Sequence, residues 1–186
     1  PDASSASYPL AIAAVTGGRV TVPGLGARSM QGDIAIAGLL ERMGCRVELT
    51  ADSVTVEGPA ELRGIEVDMA AFSDLVPTIA AVGACASSPT RISGVAFIRG
   101  KESDRLGDLS AELRRLGVEC VETDDGLLIE PSRASLRPAR VATHDDHRLA
   151  MAFAVLGSVQ AGIVVDDDGV VSKSWPAFWA VLDSLG

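Results

Sequence analysis

Cysteines, aromatic residues and long apolar runs are scarce in this sequence. Only three cysteines occur among 186 residues, Cys45, Cys85 and Cys120, and aromatic residues make up 4%. Three distant cysteines without a C-x-x-C pair exclude a disulfide scaffold and do not fit a zinc site, so we expect reduced, partly buried thiols. No apolar run reaches the roughly 20 residues that span a bilayer, and no signal-peptide pattern is present. The expected location is therefore the cytoplasm.

Basic residues are also few, with 16 Lys and Arg against 25 Asp and Glu and a formal net charge of -9. Such a balance leaves no broad basic surface, which excludes a nucleic-acid binder. The hydrophobic fraction of 47% predicts a folded globular protein. The two lysines, Lys101 and Lys173, and the two histidines, His144 and His147, each lie in a short polar cluster.

One unit of sequence recurs along the chain. It reads as a strand, a glycine-containing loop, an amphipathic helix ending in Leu-Gly or Met-Gly, and a two-stranded ribbon. Copies lie at 19–58 and 90–130, and a truncated copy lies at 162–186. The glycines that end the three helices, Gly44, Gly117 and Gly186, are about 70 residues apart.

The second copy shows the helical pattern most clearly. Its apolar stripe consists of Leu106, Leu109, Leu113 and Leu116. Its charged residues Glu112, Arg114 and Arg115 fall outside that stripe.

Three segments between these units are apolar on every side and rich in alanine and glycine. They begin near Ser7, Asp74 and Asp146. A helix that is apolar all round must be buried all round, and small residues let such helices approach closely. We therefore predict a mixed α/β (α+β) fold of one domain over 1–186. In it, three buried helices are surrounded by sheets and outer helices with pseudo-threefold symmetry.

The first polar cluster that could carry chemistry ends at Asp74, just before one of the apolar segments. Asp74 could simply cap the helix, with Pro77 in its first turn. Alternatively, its carboxylate lies at the mouth of a site and accepts a proton from a substrate hydroxyl. The sequence pattern favours neither interpretation.

The second cluster runs from Arg99 to Arg105. Ser103 or Asp104 can cap the helix that follows. Lys101 and Arg105 could both reach an anion at that helix start, with an acid/base carboxylate, Glu102, between them. A solvated run of charges is the alternative interpretation.

The third and fourth clusters lie at 143–148 and 172–174. Histidines in the third could bind a metal, but the nearby Arg148 disfavours a cation site. An arginine at a helix start is itself unfavourable unless it meets an anion. In the fourth cluster Lys173 lies between two serines, one of which could cap a helix with Pro176 in its first turn.

Five motifs in this order resemble a known family. They are Asp2–Tyr8, Ser29–Asp33, Lys101–Arg105, Asp146–Arg148 and Lys173. Together they resemble the C-terminal half of 5-enolpyruvylshikimate-3-phosphate synthases, also called 3-phosphoshikimate 1-carboxyvinyltransferases. The resemblance covers essentially the whole chain. It implies an inside-out α/β barrel of βαβαββ units.

The resemblance also implies an activity: transfer of the enolpyruvyl group of phosphoenolpyruvate to the 5-hydroxyl of shikimate 3-phosphate, with release of phosphate. Asp74 would contact shikimate 3-phosphate and accept the proton. Lys101 would contact the same substrate. Glu102 would be the partner acid/base, with His147 in a supporting role.

Phosphoenolpyruvate would be held by Arg105, Arg148 and Lys173. No metal and no organic cofactor is implied, and no nucleic acid or membrane partner. The family's N-terminal domain, with further substrate contacts, has no counterpart in this sequence. We therefore expect it as the partner and expect this chain to be inactive alone.

Two residues depart from the family pattern. Phe97 stands where some members carry a polar residue that contacts shikimate 3-phosphate, and Asp145 replaces the more usual Asn. Two alternatives stay open: a related enolpyruvyl transferase that acts on a UDP-amino sugar, and a non-catalytic binding or assembly module with the same fold.

Overall fold

The computed structural model of the chain describes residues 1–130 and 136–185. Within these residues, helices α1 to α6 span Ala3–Thr16, Ile36–Arg42, Val76–Ala84, Arg105–Arg115, His147–Gly157 and Phe178–Leu185. Strands β1 to β9 span Arg19–Pro23, Arg46–Leu49, Ser53–Glu57, Glu66–Asp68, Thr90–Ser93, Cys120–Glu122, Leu127–Ile129, Ala139–Val141 and Ile163–Val165. Short 3₁₀ helices occupy Gly32–Ala35, Ala70–Leu75, Ala96–Gly100 and Asp168–Lys173.

Helices α1, α3 and α5 form the centre of the molecule. All nine residues of α3 are buried, as are most residues of α1 and α5. The three helices pack against one another, and Ser7 of α1 and Thr78 of α3 share a buried hydrogen bond of 3.1 Å. The prediction of three helices buried on every face is confirmed.

Three sheets lie around these helices. The first has the strand order β1-β3-β2 and is antiparallel. The second has the order β4-β5-β7-β6, with β4 and β5 parallel. In the third, β8 and β9 are parallel. The ribbons predicted from alternation are the antiparallel pairs β2-β3 and β6-β7.

Helices α2, α4 and α6 are the amphipathic ones. Gly44 and Gly117, which follow α2 and α4, have φ angles of 103° and 89°, as predicted for residues that end a helix in the left-handed region. The corresponding Gly186 lies outside the described residues. Glu112 lies outside the apolar stripe of α4 and is nevertheless only 2% exposed.

Helix α6 also differs from its predicted start. It begins at Phe178, so Pro176 precedes it instead of lying in its first turn. Edge-to-face contacts of Phe178 with Tyr8, Trp175 and Trp179 fix this corner. Lys173 consequently ends a 3₁₀ helix and lies apart from the start of α6.

The three cysteines are buried, as expected. Burial raises the pKa of Cys45 and of Cys120 to about 11. These thiols are therefore protonated at neutral pH and contribute to packing. In the part of the chain that the structure describes, no helix has the length and apolar character needed to cross a membrane.

Candidate functional site

The fold brings together most of the predicted site residues at the starts of α3, α4 and α5. Asp74 lies in the 3₁₀ helix that leads into α3. Lys101 and Glu102 lie in the loop before α4, whose first residue is Arg105. The third group, which includes His147 and Arg148, opens α5. Residues far apart in sequence thus share one surface because three helix N-termini meet there.

Asp74 is surrounded by three cations. Its carboxylate lies 2.8 Å from Arg148 Nη2, 3.0 Å from Arg105 Nη1 and 3.4 Å from Lys101 Nζ. Burial acts to raise the pKa of Asp74, but these three charges outweigh it and hold the pKa below the ordinary 3.8. The residue at the N-cap of α3 is Leu75, so the capping interpretation of Asp74 is wrong.

Arg105 is the most buried charge of this group, with 2% of its side chain exposed. Its Nε donates to Asp146 Oδ2 at 2.6 Å, and Nη1 and Nη2 donate to Asp74 and Glu102 at 3.0 and 3.3 Å. Three carboxylates therefore fix the plane of the guanidinium. Asp104 caps the same helix by accepting from Gly107 N, which confirms one of the two predicted caps.

Asp146 was not among the predicted site residues, yet it holds the site together. It is fully buried, caps α5 by accepting from Arg148 N at 2.9 Å, and binds Arg105. Burial acts to raise the pKa of Asp146, but the hydrogen bond and charge of Arg105 outweigh it and lower the pKa below 3.8. An aspartate at the first turn of an otherwise apolar segment was the signal that could have found it.

His147 lies beside Glu102, with Nδ1 3.0 Å from Glu102 Oε2. Burial is the main cause that lowers the pKa of His147; Arg148 and Arg105 add to it, while Glu102 and Asp146 oppose it. The imidazole is therefore neutral at neutral pH.

Lys173 is placed at the edge of this group. Its Nζ donates to the main-chain oxygen of Asp145 at 2.7 Å, which ties it to the turn before α5. Phe97 is 54% exposed on the 3₁₀ helix before Lys101.

A metal ion would find three donors here, because ligand atoms of Glu102, Asp146 and His147 lie within 4.8 Å of one another. Arg105 already binds both carboxylates, however. A guanidinium in that position repels a cation, so the three residues fit an ion-paired network better than a metal site.

Cations are concentrated at this surface although the whole chain is acidic. Lys101, Arg105 and Arg148 surround Asp74, and Lys173 contacts the turn before α5. The N-terminal ends of α3, α4 and α5 add partial positive charge. Fold and site together define a mixed α/β domain with a cluster of cations at three converging helix starts.

Comparisons with known proteins agree with this class. The sequence model of EPSP synthase (3-phosphoshikimate 1-carboxyvinyltransferase) matches residues 1–182. A 3-phosphoshikimate 1-carboxyvinyltransferase of Methanoculleus marisnigri is 51% identical over 185 residues, which is 100% of this chain and 43% of that protein. One of Nostoc punctiforme is 50% identical over 179 residues, covering 96% of this chain and 42% of that protein.

A solved structure agrees as well. EPSP synthase from Acinetobacter baumannii superposes with a TM-score of 0.85 at 28% identity, covering 100% of this chain and 46% of that one. The chain belongs to the EPSP synthase family. It spans less than half the length of these relatives.

Proposed function

We propose that this chain is the C-terminal-type domain of a 3-phosphoshikimate 1-carboxyvinyltransferase and supplies about half of its active site. The reaction transfers the enolpyruvyl group of phosphoenolpyruvate to the 5-hydroxyl of shikimate 3-phosphate and releases phosphate. The observation that carries the proposal is the carboxylate of Asp74 within 3.4 Å of three cations at converging helix starts.

The cations serve to bring two anionic substrates together. Arg148 and Lys173 bind the phosphate and carboxylate of phosphoenolpyruvate, together with Arg105. Lys101 binds shikimate 3-phosphate beside Asp74. Planar guanidinium groups suit both anions because they form paired hydrogen bonds to two oxygens. The rigid hold on Arg105 keeps its orientation before substrates arrive.

Asp74 and Glu102 are the acid/base pair. The 5-oxygen attacks C2 of phosphoenolpyruvate and gives up its proton to Asp74, which is ionised because of its lowered pKa. Glu102 protonates C3, so that a tetrahedral intermediate forms. Glu102 then takes a proton back from C3 while the bond from C2 to the phosphate oxygen breaks and inorganic phosphate leaves. The neutral His147 lies beside Glu102, with Nδ1 3.0 Å from Glu102 Oε2, and has a supporting role.

We also propose that the sheets and helices form a pseudo-threefold inside-out barrel. The similarity between the repeated units of the chain supports this architecture. The second unit contains β4, α3, β5, α4, β6 and β7, a complete βαβαββ series. The parallel pair β8-β9 joined by α5 repeats the pair β4-β5 joined by α3.

The partner we propose is the N-terminal half of the enzyme. Two sheet edges support it. Among the described residues, β9 pairs with β8 alone, whereas its counterpart β5 also pairs with β7. Likewise β1 pairs with β3 but with no parallel strand like β4. An open strand edge is a template for a strand from elsewhere.

The proposal is tested by phosphate release from phosphoenolpyruvate and shikimate 3-phosphate. We expect turnover by the chain alone to be more than tenfold below that of a full-length family member, because the substrates need contacts from both halves. Adding the N-terminal half of a family member as a second chain should restore turnover. A folded, associated mixture that stays inactive, or that turns over only with a UDP-amino sugar as acceptor, contradicts the proposal.

A further inference from the structure

The turn that precedes α5 has an unusual backbone. His144 and Asp145 have φ angles of 51° and 59°, and neither is glycine. Single histidine or aspartate residues visit the left-handed region, but two in succession require surroundings that hold them there. The contacts of His144 provide such surroundings.

His144 connects the turn to α4. Its Nε2 lies 3.3 Å from Glu112 Oε1 and its Nδ1 lies 3.4 Å from Asp108 Oδ1. Glu112 also accepts from Ala142 N at 3.2 Å and pairs with Arg115 at 3.1 Å. We call His144, Asp108 and Glu112 the His144 clamp.

The clamped turn places two cations of the candidate site. The main-chain oxygen of Asp145 accepts from Lys173 Nζ at 2.7 Å. The next residue, Asp146, binds Arg105 Nε at 2.6 Å. A change in the turn would therefore move both cations, although His144 touches neither.

We propose that His144 is a positioning residue, which orients Lys173 and Arg105 for phosphoenolpyruvate through the turn at 145 and 146. The inference rests on the proposed function only for the identity of that ligand. The contacts of the turn with Lys173 and Arg105 are independent of the proposed function. The burial of Glu112 is explained by the same contacts, because a carboxylate leaves water only where donors replace the water.

The first experiment reads the geometry in the chain itself. His144→Asn keeps a residue that tolerates the left-handed region but removes the bridge to two carboxylates. We expect the Arg105 side-chain Nε–H signal in NMR spectra to shift and its exchange with water to accelerate roughly tenfold, since its bond to Asp146 loosens. An unchanged Arg105 signal in a folded variant overturns the proposal, whatever the chain catalyses.

The second experiment uses the chain combined with the N-terminal half of the enzyme. For His144→Asn we expect the KM for phosphoenolpyruvate to rise roughly tenfold, while kcat and the KM for shikimate 3-phosphate change less than about threefold. A residue that only stabilised the fold would lower kcat through the folded fraction and leave both KM values unchanged, which overturns the proposal. Inactivity of the unmodified assembly contradicts the proposed function and leaves the NMR result to decide this inference.

Two further variants control for unrelated effects. Asp108→Asn keeps His144 and weakens only one of its two carboxylate contacts. The shift of the Arg105 signal and the rise in the KM for phosphoenolpyruvate should therefore appear but be smaller than in His144→Asn. Arg140→Ala removes an exposed ion pair with Asp166, 3.2 Å long, on the strand that leads into the turn. It should leave the Arg105 signal and both KM values unchanged. An equal effect of Arg140→Ala contradicts a specific role of His144.

Discussion

Replacing Asp74 with Asn should lower kcat of the reconstituted two-domain enzyme by about 10³-fold, the size expected when a general base is removed. The amide keeps the shape of the side chain but cannot accept a proton. It also leaves Arg148, Arg105 and Lys101 without the carboxylate that lies within 3.4 Å of each. The measurement is phosphate release at saturating concentrations of both substrates.

A matched control is Asp52→Asn. Asp52 is also a carboxylate in an ion pair, with Arg28, but both side chains are 71% exposed. Asp52 lies in the turn between β2 and β3, and Arg28 lies in the loop that follows β1. We expect kcat to be unchanged in this variant. If Asp74→Asn keeps kcat within tenfold of the unmodified enzyme while remaining folded, Asp74 is not the proton acceptor.

The central helices could be predicted from sequence because composition alone determined their burial. Segments rich in Ala, Val and Ile without a polar face have no stable position at the surface. The pairing of strands could not be predicted in the same way. Seven of the nine strands in the described part of the chain have three or four residues, as in Glu66–Asp68, and so short a strand carries too little pattern to select a partner.

The cations and acids of the site were predicted as clusters, but their contacts with one another were not. Arg105 was expected to reach an anion at the helix start, but its pairing with three carboxylates, which leaves its side chain 2% exposed, was not predicted. One of those, Asp146, lies 41 residues away along the chain. A sequence pattern reports local periodicity, so it cannot reveal which distant carboxylate fills the space around a guanidinium.

The burial of Glu112 in α4 is a second feature that the local sequence pattern could not reveal. Glu112 lies outside the leucine stripe of α4, where a charged side chain usually faces water. The structure buries it because Ala142 N and His144, about 30 residues away, supply donors. A charged residue that departs from its helical pattern in this way marks a tertiary contact.

Replacing Arg105 with Ala should lower the free energy of unfolding by about 3–5 kcal/mol at pH 7, the typical cost of breaking a buried ion pair from one side. Asp146 is fully buried and would lose the guanidinium that lies 2.6 Å away. Urea unfolding of the chain measures the change. As a control, Arg28→Ala removes an exposed pair and should change the free energy by no more than about 0.5 kcal/mol.

The pH dependence of that loss identifies its cause. In the unmodified chain Arg105 outweighs burial and lowers the pKa of Asp146 below 3.8, so the pairing stabilises the fold above that pH and is lost as the pH falls through the folded-state pKa. Without Arg105, burial acts with much less opposition and raises the pKa of Asp146. In Arg105→Ala, the cost of burying the unpaired Asp146 carboxylate at pH 7 disappears as the pH falls through this raised pKa, because the carboxyl group becomes neutral. The difference between the two proteins should therefore be largest at neutral pH and shrink towards pH 3.8. A loss of constant size across this range would instead indicate a packing cavity, because the cost of a cavity does not depend on protonation.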